Sequence, residues 1–389
     1  MKIRLNENFK KVEQNYLFSE IACRMEQYKV HNPDKNVISL GIGDVSLPIA
    51  PTVAREMSRA AEKLSTKEGF VGYGDTLGLK ELRQTISERY KSRQIDVGAD
   101  EIFISDGAKS DIGNLCDVLG DNEVLILDPV YPVYLESNLM SGRKIRVLNA
   151  RQENEFLPLP NNLPSKPFVI YLCSPNNPTG AVFPYEILKK WVDFALYSGS
   201  LIVFDAAYEA YICEKSIPRS IFEIEGAKEC AVEVCSFSKF AGFTGIRCGW
   251  TVIPRDNEIY SLWKRRQNTK FNGASYISQV GALAALSEKG EAENKQNVAY
   301  YMKNAQKIAS FLKRKQLYFV GGENAPYLWI KIPFKMSSWE FFDYLLKECA
   351  VVCTPGVGFG KNGEEYFRFS SFASAQSVDE ALRRMERIF

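Results

Sequence analysis

The chain has 389 residues, 46% of them hydrophobic and 25% charged, with 49 Lys and Arg against 47 Asp and Glu. That composition describes a globular protein rather than a disordered one, and a net charge of +2 without a basic block argues against both a nucleic-acid face and attraction to anionic membranes. The single histidine, His31, reads as a surface residue at a helix end, so a Ser-His-Asp triad and most histidine-ligated zinc chemistry are barely supplied, and proton transfer falls to Lys, Asp, Glu, Tyr or a cofactor.

The first residues, MKIRLNENFKKVEQNY, carry no apolar core and no small-residue cleavage site, and no apolar run approaches the ~20 residues a bilayer span requires. The expected location is the cytoplasm. Nine scattered cysteines without a C-x-x-C pair read as reduced thiols, Cys173 among them as core filler, and no metal site is expected. Leu17, Ile21, Met25 and Tyr28 then recur at helical spacing, with His31 as a surface residue closing that helix. NVISLGIGD reads as a short strand entering a glycine turn. Two amphipathic helices follow, one opening at Pro51 and one over LKELRQTISERYKSR.

From residue 101 the pattern changes to strands alternating with helices: EIFIS, a helix from about Lys109, EVLILD, a helix after Pro132, KIRVL, FVIYLC, a helix from about Pro184, LIVFD, AVEVCSFS and CGWTVI. Short apolar strands with little polar alternation indicate a mostly parallel sheet covered on both faces, and ligands collect beyond the carboxyl ends of such strands. Beyond residue 256 the chain is largely helical, with a charged run from Gly290 to Gln316, followed by YLWIKIP, the helix SSWEFFDYLLKEC, VVCTP and YFRFSSF. This reads as a smaller α+β unit completed by the N-terminal segment. The expected class is therefore α/β: an arm and part of the small domain at 1–48, a large domain at 49–275, and a small C-terminal domain at 276–389. GVGFGKNG, from Gly356, imitates a phosphate loop but lacks the spacing and the Ser/Thr of one, and a strand follows it, so it reads as a small-domain loop near the substrate.

Five strand ends carry polar residues: SDGAKSD, DPVYPVY, SPNNPTG, DAAY and SKF. One alone is explained by a turn or a helix cap. Together they hold a lysine, an aspartate, tyrosines, an asparagine and turns suited to a phosphate, which points to pyridoxal 5'-phosphate. Lys239 supplies the amine that forms a Schiff base with an aldehyde, and Asp205 the acid that partners a pyridinium nitrogen.

The NNPTG turn, the D-x-x-Y pair, S-x-x-K with an arginine eight residues on, and the late FRFS stand in an order that resembles the class I/II aminotransferases of the fold-type-I pyridoxal-phosphate superfamily. The resemblance implies a large domain built on a mostly parallel seven-stranded sheet, a smaller α+β domain, and a homodimer with shared active sites. It also implies roles. Lys239 bonds the cofactor and shuttles the proton, Asp205 keeps the ring nitrogen protonated, Asn177 and Tyr208 bond the ring oxygen, and Tyr131 stacks on the ring. Ala108 and Lys109 meet the phosphate by their backbone N–H groups, with Ser236 and Arg247 completing the cradle, and Arg368 clamps the substrate carboxylate. From the partner subunit Tyr73 reaches the phosphate and Asn272 the substrate, while Tyr16 and Gly43 help close the site; Lys109, Tyr131 and Asn177 border the substrate as well.

Longer segments, KFNGASYISQ, ENAPYLWIKIP, TPGVGFGKNGEEYFRFS and SFSKFAGFTGIRCGW, resemble the diaminopimelate branch of that family, which implies amino transfer between LL-2,6-diaminopimelate and 2-oxoglutarate by a ping-pong cycle serving lysine and cell-wall precursors. That branch continues its partner-subunit tyrosine motif as Y-G-x-E-Q-G, whereas this chain reads YGDTLG, with Thr76 and Leu77 replacing the acid and the amide. A neutral threonine cannot pair with a second ammonium group. A relative acting on another amino acid therefore stands as the alternative, and a pyridoxal-phosphate-binding regulator ranks third because no helix-turn-helix segment precedes the enzyme-like pattern.

Overall fold

The computed structural model describes residues 3–12 and 17–389. Helix α1 (Leu17–His31) leads into strand β1 (Ile38–Ser39), then α2 (Pro51–Leu64) and α3 (Lys80–Lys91). The alternating region follows as β2 (Ile102–Ser105), α4 (Ala108–Leu115), β3 (Val124–Asp128), α5 (Pro132–Met140), β4 (Ile145–Asn149), β5 (Val169–Cys173), α6 (Tyr185–Ser198), β6 (Leu201–Asp205), α7 (Ala227–Cys230), β7 (Ala231–Ser236), α8 (Phe237–Phe240) and β8 (Gly249–Val252). The remainder comprises α9 (Tyr260–Lys270), α10 (Tyr276–Leu286), α11 (Glu288–Arg314), β9 (Phe319–Gly321), β10 (Tyr327–Lys331), α12 (Ser338–Cys349), β11 (Val351–Val352), β12 (Thr354–Pro355), β13 (Tyr366–Ser370) and α13 (Ala375–Met385).

Local chemistry explains the main boundaries. Pro51 opens α2, where a missing N–H costs nothing, Gly199 ends α6 in the left-handed region, and Ser337 with Glu340 forms a reciprocal cap at α12. One expected boundary moves. AVEVCSFS does not stay extended to Ser238, because the Ser236 hydroxyl accepts from the Ser238 N–H at 3.0 Å and turns the chain into α8. Lys239 thus stands on a short helix beyond the strand. Strand β9 was not among the expected elements, since its three half-buried residues give too short a pattern to read.

The large sheet runs β2-β8-β7-β6-β5-β3-β4. Neighbours from β7 to β4 are parallel, and β8 lies antiparallel between β2 and β7. Interior strands β3, β5, β7 and β8 are buried end to end and β6 is buried beyond Leu201, as coverage on both faces requires, whereas edge strand β4 is only partly covered. Register brings the carboxyl ends level: Cys173 faces Asp205, Asp205 faces Val234, and Ser236 and Ser105 both face Gly249. Gly249 is required there. A Cβ would lie 2.7 Å from the Cys235 carbonyl oxygen and 2.9 Å from the Gly107 Cα.

A second sheet, β12-β13-β10-β9, is antiparallel and sets Arg368 opposite both Trp329 and Thr354. The segment 40–47 joins the two sheets. It receives Arg368 and Thr354 on the Gly41 carbonyl, Ser370 on the Ile42 carbonyl and the Lys239 ammonium on the Gly43 carbonyl, and its Ser46 and Leu47 N–H groups donate to the Tyr301 hydroxyl. The GVGFGKNG loop forms two tight turns before β13, and its backbone already holds an internal anion: the Lys361 and Asn362 N–H groups donate to the Asp128 carboxylate at 3.1 and 3.2 Å. His31 is exposed at the end of α1, and all nine cysteines are free thiols. Among the described residues no helix is long and apolar enough to cross a membrane, and no cluster of ligands suits a metal ion.

Candidate active site

A cavity of about 350 Å³ opens at the carboxyl edge of the large sheet, walled by the ends of its strands, the 42–44 segment, and Tyr327 and Arg368 from the second sheet. Eleven of the fourteen residues singled out from the sequence line it: Gly43, Ala108, Lys109, Tyr131, Asn177, Asp205, Tyr208, Ser236, Lys239, Arg247 and Arg368. Tyr73 and Asn272 lie elsewhere, together bordering a separate hollow, with Tyr73 90% exposed. Tyr16 falls outside the described residues.

Asp205 ends β6 on the cavity floor. Its carboxylate accepts from the Tyr134 hydroxyl at 2.6 Å and from the Ala207 N–H at 3.0 Å, and no cationic side chain among the described residues reaches it. Burial pushes its pKa up, against the opposing effect of those two donors. A buried carboxylate with only neutral donors is costly, and a cationic N–H entering the cavity would relieve that cost.

Lys239 borders the same space. Burial lowers its pKa to about 8, with Arg368 and Arg247 acting in the same direction and Asp44 opposing them. Besides its bond to the Gly43 carbonyl, the ammonium lies 5.5 Å from the Phe372 ring centroid. A depressed lysine in a cleft is a poised nucleophile, because a useful fraction of its amine is unprotonated near neutrality.

Donors suited to an anion, a candidate anion cradle, gather where α4, α8 and the start of β8 converge. The first N–H groups of α4, at Ala108 and Lys109, stand at the positive end of the helix dipole. Arg247 holds a left-handed backbone, φ 67°, which is uncommon for a side-chain-bearing residue, and its guanidinium donates to the Ser238 hydroxyl at 3.2 Å and the Thr244 carbonyl at 3.4 Å. Gly107 allows the close approach, since a Cβ would meet Arg247 Nη2 at 2.4 Å.

Arg368 supplies the opposite end. It is fully buried yet has no carboxylate partner; Nη1 donates to Asn177 Oδ1 at 2.6 Å, Nη2 to the Gly41 carbonyl at 2.8 Å and the Thr354 hydroxyl at 3.3 Å, and Nε has no partner. Its guanidinium lies 4.4 Å from the Tyr327 ring centroid and 4.9 Å from that of Phe359. A desolvated guanidinium held mainly by neutral oxygens is a receptor for an anionic group. Between the two ends the Tyr208 and Tyr327 hydroxyls meet at 2.7 Å.

Several participants escaped the sequence reading. Tyr134 stands one helical turn from Tyr131 on α5, a spacing that could have revealed it. Tyr327 looks like an ordinary strand aromatic, and Gly107, Ser238 and Thr244 like turn residues, so no local signal marks them.

Comparison with known proteins follows the same lines. The family model for aminotransferase class I and II matches residues 35–385. An LL-diaminopimelate aminotransferase of Lachnospira eligens is 47% identical, covering 99% of this chain and the whole of that protein, and one from Prochlorococcus marinus is likewise 47% identical over 99% of the chain and all of its own length. Among solved structures, the L,L-diaminopimelate aminotransferase from Chlamydomonas reinhardtii superposes with a TM-score of 0.95 at 39% identity, covering 100% of this chain and 99% of that one. Substrate-bound BacF from Bacillus subtilis superposes with a TM-score of 0.88 at 27% identity, covering 100% and 98%.

Proposed function

The chain belongs to the class I and II aminotransferases, and from that premise we propose that it passes an amino group between LL-2,6-diaminopimelate and 2-oxoglutarate with pyridoxal 5'-phosphate seated in the cavity around Lys239. The observation that carries this reading is a buried carboxylate lacking a cation, a depressed lysine, an anion cradle and an uncompensated arginine around one cavity. Each matches a different part of that cofactor or of an amino-acid substrate.

When bound, the cofactor supplies an aldehyde that amines capture and a ring that withdraws electrons from the substrate Cα. The chain's residues do the rest. Lys239 Nζ would hold the cofactor and, when free, would take the proton from the substrate Cα and return it. Asp205 would accept from the ring N–H and so favour its cationic form. Asn177 and Tyr208 would bond the ring oxygen, Tyr131 would cover the ring, and the N–H groups of Ala108 and Lys109 with Ser236 and Arg247 would receive the phosphate. Arg368 holds the substrate α-carboxylate in a fork, with Gly43, Lys109, Tyr131 and Asn177 beside it.

The proposal extends to a cytoplasmic homodimer in which the partner's copies of Tyr73, Asn272 and Tyr16 complete each site. Phe70 at 71% exposure and Tyr73 at 90% support it, because large apolar side chains grouped on a surface mark an interaction face. In this reading residues 49–275 form the cofactor domain, and 276–389 with 1–48 the smaller one.

A second reading, transfer from a different amino acid, rests on Thr76. Its hydroxyl donates to Asn268 Oδ1, and neighbouring Asp75 is committed to the Leu77 N–H and to Arg83, each at 2.9 Å. Among the described residues, neither Thr76 nor Asp75 offers a free carboxylate to a distal ammonium. Mixing cofactor-loaded protein with a panel of amino acids decides between them: loss of visible absorbance with LL-diaminopimelate supports the first reading, and loss with another donor but not with diaminopimelate establishes the second.

A further inference from the structure

We propose that Tyr327 is a positioning residue for Tyr208: it donates its hydroxyl hydrogen to Tyr208, turns the Tyr208 proton into the cavity, and thereby helps set the protonation state of the lysine-bound cofactor. The inference rests on the pyridoxal-phosphate reading above and goes beyond it by assigning a role to a residue that touches neither the phosphate cradle nor Asp205.

Tyr327 opens β10, is 1% exposed, and directs its ring into the cavity wall. Each of the two phenols has the other as its hydrogen-bond partner at 2.7 Å. Only one proton can lie between them. If Tyr208 gave its proton to Tyr327, it would have none to offer a ring oxygen; if Tyr327 gives, Tyr208 has a proton to spare and is a stronger donor for being polarised. The guanidinium of Arg368 decides the direction. It lies 4.4 Å from the Tyr327 ring centroid, and a cation on the ring face draws electron density from that phenol and makes it the better donor.

Tyr327 is also held in place. Its ring packs edge-on against Tyr208 at 5.1 Å and against Phe372 at 6.0 Å, and a Cβ on Gly43 would lie 2.7 Å from its hydroxyl oxygen. Gly43 thus leaves room for the phenol beneath the segment whose carbonyl meets Lys239.

A hydrogen bond from Tyr208 stabilises negative charge on the cofactor's ring oxygen, and a stabilised oxygen anion holds the neighbouring lysine-linked proton less tightly. The charged groups facing Lys239 are Asp44 on the 40–47 segment, Arg368 on β13 and Arg247 before β8, while Cys173 at the end of β5 and Arg368 face Tyr208. Removing one phenol oxygen from Tyr327 changes none of them.

The test is a pH titration of the visible absorbance of holoenzyme, wild type against Tyr327→Phe, Tyr208→Phe and the double variant. Tyr327→Phe should raise the midpoint by about half a pH unit, about threefold in proton affinity, and Tyr208→Phe by more, with little further rise in the double variant because the first change acts through the second. KM for the amino donor should hold in Tyr327→Phe, which keeps a ring under Arg368, and rise in Tyr327→Leu, which does not. A fall in the Tyr327→Phe midpoint would mean that the proton runs the other way, and an unchanged midpoint that the residue only packs; either overturns the inference. Wild-type protein with no visible band and no borohydride-stable link to Lys239 would overturn the cofactor reading and this inference with it, whereas a wild-type band without the shift overturns the inference alone.

Discussion

The Tyr134 hydroxyl donates to the Asp205 carboxylate across 2.6 Å, with both groups buried and the Tyr134 ring stacked on Tyr171 at 5.2 Å. Removing that donor leaves the Ala207 N–H alone against the burial that already raises the Asp205 pKa. Tyr134→Phe should therefore fold normally, since the stacked ring remains, but weaken the partnership between carboxylate and ring nitrogen and lower kcat about tenfold, the worth of one hydrogen bond to a charged group. Steady-state kinetics beside a urea unfolding curve separates the two effects, and an unaltered kcat would remove Asp205 orientation from the mechanism.

Burial lowers Lys239 to about 8. The rate at which apoprotein captures pyridoxal phosphate should climb with pH and level off above about 8 instead of continuing toward the ordinary lysine range. Stopped-flow absorbance measures it. Lys239→Ala should yield no borohydride-trapped adduct and no turnover while keeping its unfolding midpoint, because the core does not depend on this side chain.

Asp111 lies fully buried behind the anion cradle, where the Ser105 and Thr251 hydroxyls both donate to one of its oxygens at 2.6 and 2.7 Å and the other oxygen has no partner. Burial raises its pKa to about 7. The folded protein holds this proton up to about pH 7, whereas the unfolded chain releases it near pH 4, so its contribution to stability is complete below about pH 4 and is lost as pH rises through 7. Asp111→Asn should flatten that decline. Urea unfolding of apoprotein at about pH 5 and about pH 8 should show a wild-type loss, relative to the variant, of at most a few kcal/mol; equal pH dependence in the two proteins would contradict it.

Arg368→Lys keeps the charge and loses the fork. Lysine cannot serve Asn177, Gly41 and Thr354 while also meeting a carboxylate side-on. KM for the amino donor should rise about a hundredfold, a loss of about 3 kcal/mol, with a smaller change in kcat. Initial-rate measurements over a range of donor concentrations check this, and an unchanged KM would place the carboxylate elsewhere.

The strand ends were legible in the sequence because a parallel sheet gives every strand the same polarity, so Asn177, Asp205 and Lys239 converge on one edge without any knowledge of the strand order. What stayed hidden lies in contacts between distant positions: Tyr134 with Asp205 is 71 residues apart, Tyr208 with Tyr327 119, and Asn177 with Arg368 191. No local pattern encodes such pairs. The end of β7 was misplaced for a different reason, since a serine cap overrode the apolar run that suggested a longer strand. Tyr73 and Asn272, which share their own hollow away from the cavity, carry no intrachain signal for the role the family resemblance implied.

The cavity draws its walls from positions as early as Phe18 and as late as Arg368, and the segment 40–47 ties the Lys239 and Arg368 sides together through the Gly43 and Gly41 carbonyls. No contiguous fragment short of that span can assemble the pocket. Ligand retention is consequently a readout of whole-chain assembly: during refolding, a bound chromophore should emerge only with the last native contacts, well after helical signal has returned.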